Sequence, residues 1–322
     1  MIISMEKYIY QMFILGTDNL DIALSKGLGG VIFFSKDIQS ENQIKTDIQQ
    51  IKKRACIQPF ISIDQEGGRV ERTESIRPKR LSAKYAYEKG EDFLKAQTAE
   101  IAEELAELGF NLNFAPCIDV NTNPNNPIIG ERAFADNPSD VIKGMNIFIS
   151  ELRKQNIIPC VKHFPGHGDA DKDSHLVLPR INLSFEEMKN MHIKPFKYAK
   201  EKDIEMIMVA HLHCTCFDKY IIPASLSNNA INYLRNDLEY KGVLISDDMI
   251  MKGVQNYGSL EACIMGIKAG LDMFIFRNSD EKTLEMIEEL VAVVEKNEEL
   301  KQKVLQSYDR IIALKKGYGI LG

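Results

Sequence analysis

The densest chemistry in the sequence lies in one stretch, VKHFPGHGDADKDSHLVLP at residues 161–179. It holds three of the six histidines, His163, His167 and His175, with the aspartates Asp169, Asp171 and Asp173. Glycines, prolines and charges make it a loop behind an apolar run, where binding and catalytic groups tend to collect. Three readings fit that composition: a metal site, an acid/base site, or a solvated loop with incidental histidines. The acid/base reading has a concrete form. In an extended backbone residues i and i+2 project to one side, so Asp173 can accept a hydrogen bond from one ring nitrogen of His175 and leave the other free to move a proton near neutral pH. The plainer reading leaves the two on a surface loop in unrelated orientations.

A second candidate is Asp247 in GVLISDDMIMKGV, a carboxylate that follows a fully apolar run. Such a group serves as nucleophile, base or metal ligand, whereas Asp247 or Asp248 can equally cap a following helix, with Asp248 the better cap. Asp64 and Arg72 in IDQEGGRVER, Arg132 in NPNNPIIGERAF, and Lys162 supply charged hydrogen bonds suited to a ligand rich in hydroxyl and amide groups. Surface salt bridges are the alternative for these residues. Neither a dinucleotide fingerprint nor a phosphate-binding loop is present, which disfavours a nucleotide cofactor. The HLHCTC run at residues 211–216 superficially resembles a metal site but lacks a partner motif with zinc spacing. His211 is therefore expected to line the pocket, with the cysteines packed.

The elements that must hold these groups alternate. Short β-branched or aromatic runs occur at residues 31–34, 60–63, 112–114, 157–161, 206–209, 243–245 and 273–276. Helix-spaced segments separate most of them, at 92–108, 184–200, 228–238 and 260–269, and charged helices close the chain at 281–316. This alternation implies a parallel sheet. Five consecutive runs are followed by polar clusters, and such strand ends converge on one rim in a barrel. An open sheet would spread them along an edge. The expectation is an α/β fold, a TIM-like (β/α)8 barrel, as one domain over residues 1–322.

Composition removes other classes. The 322 residues are 44% hydrophobic and 27% charged, which is ordinary globular composition. The net charge of −6 and the lack of a basic block argue against a nucleic-acid partner. No run reaches the roughly 18 apolar residues of a membrane span, and the first residues do not read as a signal peptide. A cytoplasmic protein with no membrane partner is expected. The six scattered cysteines read as buried free thiols.

Taken in order, IDQEGGRVER, NLNFAPCIDVNTNP, GERAF, KHFPGHGDADKDSH and LISDDMIMKGV closely resemble the motifs of glycoside hydrolase family 3, specifically its bacterial β-N-acetylglucosaminidases of cell-wall recycling. The resemblance spans residues 11–276. It implies a single-domain barrel with Asp247 as nucleophile, His175 as general acid/base and Asp173 orienting it. It also implies sugar binding by Asp64, Arg72, Arg132, Lys162, His163 and His211. No metal or other cofactor is implied. The implied substrate is a small carbohydrate, an N-acetylglucosaminyl muropeptide, taken by a retaining, exo-acting and monomeric enzyme. A β-glucosidase, an N-acetylglucosaminide phosphorylase and a non-catalytic sugar-binding protein are the alternatives. One departure stands out, Asp37 in GGVIFFSKDI, near which the family commonly carries asparagine.

Overall fold

Apolar runs too short for helices and buried on both faces form parallel strands, and eight of them close into a barrel. A computed structural model describes residues 4–170 and 178–321. The strands are β1 (Phe13–Leu15), β2 (Gly30–Phe33), β3 (Phe60–Ile63), β4 (Leu112–Asn113), β5 (Ile158–Phe164), β6 (Met206–Val209), β7 (Val243–Asp248) and β8 (Met273–Phe276). Their order around the barrel is their order along the chain. Pairing of Phe13 with Phe274 and Leu15 with Phe276 joins β1 to β8 and closes it. The expected (β/α)8 barrel is the observed fold. Among the described residues no helix is long and apolar enough to cross a membrane.

The strand that sequence reading missed is β1. Its three residues sit between two helical turns and have no alternation to announce them. The segment expected as one helix at 184–200 is two, Phe185–Asn190 and Lys194–Glu201. Pro195 explains the break: it lacks an N–H and is tolerated only in the first turn of the second helix. The segment at 228–238 changes from α-helix (Asn228–Asn232) to a π-helical turn (Tyr233–Asp237). Elsewhere local chemistry and structure agree. Glu41–Arg54 starts at Ser40, whose side chain accepts from Gln43 N, and buries Ile44, Ile48 and Ile51 at helical spacing.

Two irregularities matter for function. Between β5 and β6 the register moves from Val161↔Ile207 to Phe164↔Val209, so three steps on one strand match two on the other. Between β7 and β8 it moves from Ile245↔Met273 to Asp248↔Ile275 in the same way. Each is a bulge, and a bulge breaks the alternation of side chains across the sheet. The extra residues fall across Lys162-His163 and Ser246-Asp247. These pairs therefore lie within the strands rather than after them.

A buried carboxylate ties the closing helix to the barrel. Asp272, with no solvent exposure, accepts from Leu244 N at 2.8 Å, Ser307 Oγ at 2.9 Å and Arg310 Nη1 at 2.8 Å, and pairs with Arg235. Asp272→Ala leaves two cations and a strand amide without their acceptor. Stability should fall by about 3–5 kcal/mol, measured as a lower urea midpoint. An unchanged midpoint would mean that the helix docks without this joint.

Candidate active site

At the C-terminal ends of the strands a cavity of about 540 Å3 is lined by Asp64, Arg72, Arg132, Lys162, His163, His167, Asp247 and Asp248, among others. Ile32, Met208 and Ile275 supply apolar wall from three strands. A larger hollow of about 730 Å3 lies at the opposite end, around Glu205, Gly242 and Val243 where β6 and β7 begin. None of the five polar strand ends reaches it, so the chemistry belongs to the smaller cavity.

The polar wall is a continuous chain of charge. Lys162 Nζ is 2.6 Å from Asp64 Oδ1 and 2.6 Å from Glu66 Oε1. Arg132 grips Glu66 with both arms, Nη2 to Oε1 at 2.8 Å and Nε to Oε2 at 2.9 Å. Such forked pairs fix orientation as well as charge. Arg132 Nη2 also lies 3.3 Å from His163 Nε2. A guanidinium only donates, so Nε2 accepts and the ring proton sits on Nδ1, 2.7 Å from Asp119 Oδ2. Asp119 further accepts from His163 N and His167 N. Arg72 lies over the Phe34 ring and reaches Asp64 Oδ2 at 3.7 Å.

Burial opposes charge on Glu66 and Asp119, yet both carboxyls are held far below their ordinary range. Arg132 and Lys162 outweigh burial at Glu66, and His163 with His167 does so at Asp119. Lys162 is raised, because Asp64 and Glu66 outweigh its burial. At Asp247 burial pushes upward, and His163, His211, the Asp248 amide and Lys162 overcome it, so the carboxyl is lowered and anionic at neutral pH. Its Oδ1 accepts from Asp248 N at 2.7 Å.

Of the residues expected from sequence, Asp64, Arg72, Arg132, Lys162, His163 and Asp247 line this one cavity. His211 does not. It is buried, with Nδ1 2.7 Å from Ser225 Oγ and Nε2 unpartnered among the described residues, close enough to Asp247 for the two to influence each other's titration. Asp173 and His175 lie outside the described residues. Asp248 caps no helix: its Oδ1 accepts from Ile250 N and Arg277 N, closing a turn and joining β7 to the end of β8. Asp37 accepts from Thr17 Oγ1 and Phe34 N, and lines a separate groove rather than this cavity. The thiols are all free, but Cys56 is exposed and Cys216 half-buried, against the expectation of burial.

Sequence reading missed Glu66 and Asp119, and it named His167 without giving it a role. Glu66 lay inside a quoted motif, and the need of Lys162 and Arg132 for a shared anion is the signal that would have found it. Asp119 pairs with a histidine 44 positions away, which no local pattern reveals. Cys117, Asp119 and His163 bring three ligand-type atoms within 4.8 Å of one another. Here the atoms bond each other, Cys117 Sγ donating to Asp119 Oδ2 at 3.2 Å, and the cluster is a hydrogen-bond relay behind the cavity wall. The run at 211–216 is divided between a two-residue strand (His213–Cys214) and a turn.

Fold and site together define a (β/α)8 barrel whose rim holds a half-buried carboxylate in one cavity with a compensated wall of cations. The chain belongs to glycosyl hydrolase family 3: residues 5–314 match the Glycosyl hydrolase family 3 N terminal domain. It is 33% identical over 319 residues to Beta-hexosaminidase A of Pseudoalteromonas piscicida, covering 89% of this chain and 53% of that protein. The chain thus spans about half the length of that relative. It is also 33% identical over 284 residues to a Beta-hexosaminidase of Photobacterium profundum, covering 87% of this chain and 83% of that one. The structure of a glycoside hydrolase family 3 β-N-acetylglucosaminidase from Paenibacillus superposes with a TM-score of 0.92 at 28% identity, over 99% of this chain and 64% of the other.

His167 makes the site's effect on stability testable. Both its ring nitrogens are buried without a partner among the described residues, and burial lowers its pKa from 6.5 to about 4. Between those values the unfolded chain binds a proton that the folded one refuses, so stability falls with pH, by about 3 kcal/mol over that window. Asp248, raised to about 6 by burial, works in the opposite sense. The comparison must therefore be with His167→Gln, which should flatten the loss between pH 6.5 and 4 in urea unfolding. Parallel curves for the two proteins would show that His167 contributes none of it.

Proposed function

We propose that residues 1–322 form one catalytic domain, an exo-acting retaining β-N-acetylglucosaminidase that removes N-acetylglucosamine from the non-reducing end of muropeptides in the cytoplasm. One observation carries this reading: Asp247, half-buried and held anionic, faces the cavity that Asp64, Arg72, Arg132, Lys162 and His163 also line. Carboxylate and cations suit a ligand of hydroxyl and amide groups, and the names of the relatives fit such a sugar.

In this reading the fixed donors and acceptors of the wall orient the sugar, with Asp64 and Lys162 for its hydroxyls. Asp247 attacks the anomeric carbon through an oxocarbenium-like transition state while His175, oriented by Asp173, protonates the departing oxygen. His175 then acts as base for the water that cleaves the glycosyl ester of Asp247. A histidine in this role spares the ester a second anion beside the incoming water.

Release of the chromophore from an aryl N-acetyl-β-glucosaminide should fall by at least about a thousandfold in Asp247→Ala. Equal rates in the two proteins would sink the assignment. A 5-fluoro glycoside should label Asp247 covalently, and a label elsewhere would move the nucleophile. His175→Ala should slow muropeptide cleavage by about 10²–10⁴-fold and an activated aryl glycoside far less. Equal losses on both substrates would remove the acid role. Rates unaffected by phosphate, with no sugar 1-phosphate formed, distinguish hydrolysis from phosphorolysis.

A further inference from the structure

The loop after β6 carries two thiols for which the reaction has no use. Cys214 is buried, Cys216 is half-buried, and their sulfurs are 3.2 Å apart. The backbone brings them together. In an extended strand residues i and i+2 stand about 6.5–7 Å apart at Cα, outside the usual 5.5–6 Å of a disulfide. Here the strand stops at Cys214 and a turn closes at once, with Phe217 N and Asp218 N both donating to Cys214 O at 3.1 and 3.2 Å. A helix-like turn holds i and i+2 about 5.4 Å apart, so the sulfurs can bond without unfolding the segment.

The turn is joined to the residues that follow the histidine-rich stretch in sequence. Its strand, His213–Cys214, pairs in parallel with Arg180–Ile181, and Thr215, between the two cysteines, donates N–H to Ile181 O at 3.0 Å. Arg180 follows His175 by five positions in the sequence. Phe217, the next residue after the pair, packs against Phe164 at the end of β5. The hydrogen bond from Cys214 holds the Cys216 thiol below its ordinary range, which favours the half-buried sulfur as the attacking one. The other thiols differ: Cys117, Cys160 and Cys263 are buried, and Cys56 is exposed.

We propose that Cys214 and Cys216 are a redox site, a dithiol that a low-molecular-weight disulfide converts reversibly to an intramolecular disulfide, slowing turnover by altering the strand pair beside the acid/base loop. The effect on turnover rests on the role given above to His175. The Cys216 thiolate attacks one sulfur of the disulfide, and the released thiolate takes up the proton that Cys216 lost. Cys214 then attacks Cys216 Sγ, the second small thiolate leaves, and it takes up the proton of Cys214. Two protein thiols are oxidised and one small disulfide is reduced to two thiols.

The full chain is incubated with oxidised glutathione, remaining thiols are alkylated, and digested peptides are weighed. The peptide spanning 214–216 should carry neither alkyl group nor glutathione and regain both thiols with dithiothreitol. In Cys214→Ser the reaction should stop at the mixed disulfide on Cys216. Alkylation of both cysteines, or a mixed disulfide in the unaltered protein, overturns the site. On an aryl glycoside kcat should drop about tenfold on oxidation, recover on reduction, and stay constant in Cys216→Ser. A disulfide formed with kcat unchanged overturns the control of turnover. A protein inactive in both states overturns the glycosidase reading, while the peptide masses still decide the thiol pair.

Discussion

An ammonium whose side chain is 2% exposed is tolerable only when short-range attraction offsets its lost hydration, and Lys162 meets that condition with two carboxylates at 2.6 Å. Everything along the polar wall follows from it. Glu66 is itself buried and needs more than one cation, so Arg132 joins with a forked pair. Arg132 then turns an arm to His163, and His163 needs Asp119. Removing any one member leaves a buried charge without its partner, which is why this chain of residues from β5 and the loops after β3 and β4 behaves as one rigid part. The sequence has no tryptophan, so in the proposed function no indole of these residues orients the sugar, and a prearranged wall of charge that does not reorganise on binding takes that part.

The barrel alone would not present these groups together. In a regular strand adjacent residues face opposite sides, yet Lys162 and His163 line the same cavity, as do Asp247 and Asp248. Both pairs coincide with register shifts, on β5 and on β7. A bulge adds a residue and re-aims its neighbours, so the two strands contributing most of the polar groups are those whose pairing is irregular. At the bulge between β7 and β8 a side chain takes over part of the ladder: Ser246 Oγ accepts from Ile275 N at 3.2 Å.

How much of this was legible depends on the range of the forces involved. Strands β3, β6 and β8 appear in the sequence at their observed limits, because a wholly buried run of Phe, Ile, Met and Val needs no context to be read. Strand β1 does not, since three residues become a strand only when β2 and β8 hold them. The charged residues of the cavity were visible by type and by their place after apolar runs. Their connections were not: the pairing of Asp119 with His163 and the bulges depend on register between strands, which composition does not encode. The bond between His211 and Ser225 was hidden for a related reason, because it forms only after the chain doubles back beyond β6.

The paired aspartates at the end of β7 show why residue type cannot assign a role by itself. Asp247 and Asp248 are adjacent, identical and largely removed from water, but their carboxyls move in opposite directions. Burial raises both. Asp247 is pulled down by His163, His211, Lys162 and an amide, while the cation beside Asp248 is Arg277, exposed and 3.3 Å away, too well solvated to compensate fully. Asp248, at about 6, is left to tie β7 to β8 through Arg277 N. A group that begins to bind protons just below neutrality is a poor nucleophile there. The environment, rather than the order of two identical letters, is what supports the role proposed for Asp247 as the attacking carboxylate.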